Sequence, residues 1–142
     1  VDIKYHTLLP LEIDVGSPLD VSQWNAVLRS AAGYHAFRRI HPRGMSPQMV
    51  AGFMLFNDDF PRSVGVCMRE VSHLLTRLKS RYMLPGGNQA MERLDEIQAA
   101  LATSTIEAVI TGGLHQFLDW IQRQLIALSN DIGRAFFGYE QD

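Results

Sequence analysis

The stretch 46–82 narrows the folds open to this chain more than any other part of it. Ser46-Pro47-Gln48 leads into an apolar run (Met49, Val50, Ala51, Gly52, Phe53, Met54, Leu55, Phe56), an acidic turn Asn57-Asp58-Asp59 follows, and Phe60-Pro61-Arg62-Ser63 opens a longer segment. From there Val64, Cys67, Val71, Leu74, Leu78 and Tyr82 recur at steps of three and four, which sets one apolar stripe along a helix. Such a stripe requires a neighbouring helix to cover it. Both starts carry N-terminal signals: Ser46 as cap with Pro47 in the first position, and Asp59 as cap with Pro61 in the first turn, where a helix leaves N–H groups unpaired in any case.

The flanking sequence keeps the same period. Val1, Ile3, Tyr5, Leu8 and Leu9 read as the last turns of a helix closed by Pro10, and 11–18 as a connector ending in Gly16-Ser17-Pro18. Asp20 is the expected cap of a helix over 21–32, with Val21, Trp24, Val27, Leu28 and Ala31 on one face and Gly33 ending it in the left-handed conformation. Tyr34, Phe37 and Ile40 form the inner side of a short helix whose outer side carries Arg38 and Arg39. Pro85-Gly86-Gly87 sets a loop over 83–88. Beyond it, 89–103 turns Met91, Leu94, Ile97 and Leu101 inward and Glu92, Arg93, Asp95 and Glu96 outward. Ser104 and Glu107 have the spacing of a capping box, and one long helix follows through Ile106, Ile110, Phe117, Ile121, Leu125, Leu128, Ile132 and Phe136, interrupted only by Gly112-Gly113. No stretch alternates with a period of two. The expected fold class is therefore all-α, without a sheet: a single-domain helical bundle of about five to seven helices over 1–142.

A chain of 142 residues that is 46% hydrophobic can bury one core. Its formal net charge of −2 supplies no general field for nucleic acid or an anionic membrane, so any partner is recognised locally. The single cysteine, Cys67, offers neither a disulfide nor a zinc spacing and points to a reducing setting. No apolar run approaches the roughly 20 residues of a membrane span, and the N-terminus lacks the layout of a signal peptide. The expected location is cytoplasmic.

Candidate chemistry is sparse. Arg62 and Ser63 stand at the start of a helix, where free N–H groups favour a phosphate or carboxylate. Asp58 and Asp59 already bring negative charge there, so the plainer reading is that they cap the helix and pair with Arg62. Arg29, His35, Arg38, Arg39, His41 and Arg43 form a local basic run, suited either to an acidic partner or to a solvated outer face. Nucleic acid is not expected, because Tyr34 and Phe37 fall on the inward spacing. The five histidines have no helical metal spacing, Ser63, Ser72 and Ser129 lack a nucleophile elbow, and Cys67 reads as packing. No metal and no cofactor are expected.

The run from Phe53 to Val64, with Trp24-Asn25-Ala26-Val27-Leu28-Arg29-Ser30 before it and Gly113-Leu114-His115-Gln116-Phe117-Leu118 after it, resembles the alpha-E family of bacterial all-helical proteins. The resemblance covers nearly the whole chain and is to the C-terminal half of a longer, two-halved protein. The family's signature Glu-Arg helix then precedes Val1, and Glu92-Arg93 does not occupy its position. The resemblance implies a domain of unknown function that accompanies ATP-grasp ligases, transglutaminase-like proteins and peptidases in peptide synthesis or modification. It brings no catalytic residues. The expected function is a non-catalytic scaffold or interaction domain for such a partner; the alternative is an enzyme or ligand-binding component with its anion site at Arg62 and Ser63. A missing upstream helix would leave an apolar groove, so a homodimer or larger species is also expected.

Overall fold

The computed structural model describes residues 1, 4, 16–81, 83 and 86–138. Among them the chain forms seven helices and no strand: α1 (Pro18–Ser30), α2 (Tyr34–Ile40), α3 (Pro47–Phe56), α4 (Val64–Arg81), α5 (Asn88–Thr103), α6 (Ile106–Gly112) and α7 (Leu114–Phe137). The expectations for 2–3, 5–15, Tyr82 and 84–85 lie outside the described residues.

α3 is apolar on nearly every side, a pattern suited to a helix surrounded by protein. One side, Val50 and Phe53, packs with Trp24 and Leu28 of α1, Phe37 of α2 and Phe60 of the following turn. Another side, Ala51 and Leu55, meets Val109 of α6 and Leu114 of α7. A third cluster joins Met68 and Leu75 of α4, Ala90, Leu94, Ile97 and Leu101 of α5, and Ile121 and Leu128 of α7. Each such large apolar side chain taken from water contributes about 1.5–3 kcal/mol. α5 packs on both α4 and α7, α6 on both α7 and α3, and α3 on α4, so these five helices close a ring, with α1 against the outside of α3 and α2 against α1.

Ser46 caps α3 as expected, its Oγ accepting the Met49 N–H at 3.2 Å. The other caps differ. Ser17, not Asp20, caps α1, its Oγ accepting the Asp20 N–H at 3.3 Å. Asp20 itself is buried, taking Lys4 Nζ at 2.5 Å on one oxygen and the Gly16 N–H at 2.9 Å on the other. Ser63, not Asp59, caps α4 through the Val66 N–H at 3.2 Å, and the Asp59 N–H donates instead to Asn57 Oδ1 at 3.0 Å. Thr105, not Ser104, caps α6 through the Ala108 N–H at 3.2 Å. Local spacing offers two polar residues at each of these starts, and the tertiary turn selects one.

The left-handed residue after α1 is Ala32 (φ 55°), whereas Gly33 has φ −103°. Gly33 is there for space. A Cβ on it would lie 2.9 Å from Phe60 Cζ and 3.0 Å from Phe53 Cε1. On α4 the inner face runs Val64, Met68, Val71, Leu75 and Leu78, leaving Cys67 exposed and Leu74 54% exposed. Both series have steps of three and four and share Val64, Val71 and Leu78; the position of α5 decides between them. Ile40 is likewise turned out. The long C-terminal helix is divided: Gly113 (φ 105°, ψ 103°) ends α6 and caps α7.

Candidate functional site

α3, the start of α4, the end of α5 and the start of α6 leave a cleft of about 850 Å³ between them. Its floor is apolar, made by Phe53, Phe56, Leu101 and Ile106, with Met49 and Ala102 at the edge. α6 packs on α3 at Gly52, where a Cβ would make an ordinary contact with Ile106 at 3.5 Å. The lining on α3 extends from Gln48 to Phe56, nearly the whole of a ten-residue helix about 15 Å long. Three carboxamides, Gln48, Asn57 and Gln98, stand among these apolar groups.

The charged lining consists of Asp58, Arg69 and Glu107, with His41 at the end where α2 passes into α3. Asp58 Oδ1 accepts from Arg69 Nη1 at 2.7 Å, but their side chains are 76% and 50% exposed. A pair so open to water contributes at most about 1 kcal/mol and exchanges readily.

Of the candidates read from sequence, the cleft takes in Asp58 and, from the basic run, His41. Arg62 Nη1 donates to the Ala31 carbonyl at 3.3 Å, bracing the exposed C-terminal end of α1 against the turn. Ser63 is buried beneath its own cap, and Asp59 is exposed. The expected pairing of Arg62 with the acidic turn is made by Arg69 instead. Arg29 and Arg38 both lie over the Tyr34 ring, their Cζ atoms 4.2 and 5.8 Å from its centroid, while Arg39 is exposed on the last turn of α2. Gln48, Gln98, Arg69 and Glu107 are the polar cleft residues that sequence reading missed. They come from separate helices, and the one available signal was the all-round apolarity of α3. No group of three or more His, Cys, Asp or Glu among the described residues could hold a metal ion, and no described helix is long and apolar enough to cross a membrane.

The Alpha-E family, described as a predicted alpha-helical domain with a conserved ER motif, matches residues 1–137. This chain belongs to the Alpha-E family. No curated protein and no solved structure matches it.

In this Alpha-E chain the one Glu-Arg dipeptide, at 92–93, divides its work. Glu92 is exposed, whereas Arg93 turns inward, against expectation: Nε donates to Asp131 Oδ2 at 2.6 Å and Nη1 to Gln124 Oε1 at 3.1 Å. Burial pushes the Asp131 carboxyl up, but Arg93 and Arg134 outweigh it and hold it below its ordinary value. Asp20 behaves alike. Burial raises it, and the Gly16 N–H and the Lys4 ammonium bring it lower still than an ordinary carboxylate. Both groups lie away from the cleft; Asp131 fastens α7 to α5, one of the helices that line it, and Asp20 fastens Lys4 to α1.

Proposed function

We propose that this Alpha-E chain is a non-catalytic helical interaction domain whose cleft along α3 holds a short peptide segment of a protein partner. The observation that carries the reading is the cleft's lining, an apolar floor of Phe53, Phe56, Leu101 and Ile106 set among the carboxamides of Gln48, Asn57 and Gln98. A carboxamide both donates and accepts, as a peptide group does, so Gln48 and Gln98 suit a backbone, beside Asn57 whose Oδ1 already takes the Asp59 N–H, while the floor takes an apolar side chain. The volume of about 850 Å³ falls in the range of roughly 300–1,000 Å³ typical of ligand clefts. The family resemblance supplies a setting: an ATP-grasp ligase or a transglutaminase-like protein that makes or modifies peptides would bring such a segment. The anion site at Arg62 and Ser63 gains no support, since one side chain is engaged by the Ala31 carbonyl and the other by the Val66 N–H.

The test is methyl NMR on the whole chain, titrated with short capped peptides that each carry one Leu, Ile, Phe or Met. Signals of Met49 and Ile106 are expected to move while that of Ile126, exposed on α7, stays in place. Ala102→Trp, at an exposed position on the cleft edge, should abolish those shifts without unfolding the chain. Absence of shifts with every peptide at millimolar concentration would sink the reading.

A further inference from the structure

We infer that the segment held in the cleft belongs to an acidic partner and lies with its acidic side toward the N-terminal end of α3. This rests on the cleft reading and gives it a charge and a direction.

Between Asp20 and Asp58 the chain has no acidic residue, while Arg29, Arg38, Arg39 and Arg43 all fall there. Asp20 is buried against Lys4 and shows no charge to solvent, so α1, α2 and the loop after them present a face with no exposed carboxylate among the described residues 16–57. That face adjoins the cleft. His41 lines the cleft and stands two residues from Arg39 on one side and from Arg43 on the other. At the opposite end Asp58, just beyond the C-terminus of α3, is paired with Arg69, so that end has no unbalanced cation, and Glu107 adds a carboxylate on α6. The dipole of α3 runs the same way, positive at Pro47 and negative toward Phe56. The arginines beside His41 and the dipole of α3 thus make the end near Pro47 the basic one.

The basic end is also partly ordered before anything binds. The Tyr34 ring holds the guanidinia of Arg29 and Arg38, and Arg38 Nη1 donates to the Gly44 carbonyl at 3.5 Å. Side chains already restrained lose less freedom when a carboxylate engages them. The occupant that fits is an apolar residue flanked on one side by Asp or Glu. A nucleic acid fits less well, because it would leave the apolar floor unused and would find Tyr34 already covered by guanidinia rather than open for base stacking.

The experiment is fluorescence anisotropy on the full chain with two labelled peptides that share a Leu anchor, one flanked on one side by Glu and the other by Gln. The Glu peptide is expected to bind about tenfold tighter at low salt, an advantage that shrinks as salt is added. A triple Arg38→Gln, Arg39→Gln, Arg43→Gln variant should erase that advantage and leave the Gln peptide unchanged. Equal affinity for the two peptides would overturn the inference while the cleft reading stands; binding of neither would remove both. A nitroxide on the Glu end should broaden the Met49 methyl more than the Leu55 methyls, and the reverse order would overturn the direction. Glu-peptide binding that survives Ala102→Trp and is displaced by a single-stranded oligonucleotide would also overturn it, showing the arginines to act as a separate polyanion surface.

Discussion

The Arg93 guanidinium on α5 meets the Asp131 carboxylate on α7 at 2.6 Å, in a place where the aspartate side chain is only 1% exposed. Arg134, one turn further along α7, takes the other carboxylate oxygen at 2.6 Å. One buried anion thereby satisfies two cations and locks two helices of the ring. Removing it strands the part-buried Arg93. Asp131→Asn is expected to destabilise the fold by about 1.5–3 kcal/mol in urea denaturation, the usual worth of hydrogen bonds to charged groups, since the guanidinia left behind still reach water. A loss under about 1 kcal/mol would show that the pair does not hold α5 to α7.

The same carboxylate predicts a pH dependence. Its pKa in the folded chain lies below the ordinary 3.8, so the unfolded chain binds the proton more readily. The stabilisation is complete above about pH 3.8 and disappears as the pH falls through the folded value. Asp20 contributes with the same sign. Stability measured against pH should therefore fall less steeply below that point in Asp131→Asn than in the parent chain, and identical slopes would count against the assignment.

Gly33→Ala should destabilise by about 1–3 kcal/mol, because its methyl would enter the space of the Phe53 and Phe60 rings, which stack with centroids 4.5 Å apart. Coupling identifies the cause. With Phe60→Leu in the background, the further cost of Gly33→Ala should drop, as a thermal-melt double-mutant cycle would show.

The adjacent glycines 112 and 113 should respond with opposite signs. Gly113 sits at φ 105°, a conformation that costs an alanine about 1–3 kcal/mol, whereas Gly112 belongs to α6 and has open space around its missing Cβ. Gly113→Ala is expected to lower the melting temperature and Gly112→Ala to raise it slightly. A fall of equal size in both would mean that the break between α6 and α7 is misplaced.

Cys67, exposed on α4 with Sγ 3.6 Å from the Pro61 carbonyl, should react with a disulfide reagent in native buffer as completely as in urea. Cys67→Ser should change stability by less than about 0.5 kcal/mol. A thiol protected until the chain unfolds would place α4 with its other face inward.

Cys67 also shows where reading the sequence stops. The existence of α4 was legible, because its apolar steps exclude a strand, but those steps fit two faces that share Val64, Val71 and Leu78. Only the placement of α5 separates Cys67 and Leu74 from Met68 and Leu75, and no residue of α4 encodes that placement alone. Ser46 with Pro47 was legible in full, since that cap depends on a single turn of backbone, from Ser46 to Met49, and nothing distant. Asp20 does not serve as the cap because its carboxylate is taken by Lys4, a partner 16 residues away that no local capping rule can see. The cleft was the least legible feature. It needs Gln48, Arg69, Gln98 and Glu107 brought together from α3, α4, α5 and α6, while the resemblance identified the family without marking any of them.

α3 supplies side chains to two of the three core clusters and closes the ring that contains the third. Because α3 is packed by α1, α4 and α6, its amides should exchange with deuterium only through global opening, while the ends of α1 and α7 exchange through local fraying. A segment seated along α3 would then slow that global opening by the factor 1 + [L]/Kd wherever it governs exchange, so that amides deep in α5 and α7 report occupancy of a cleft they do not line.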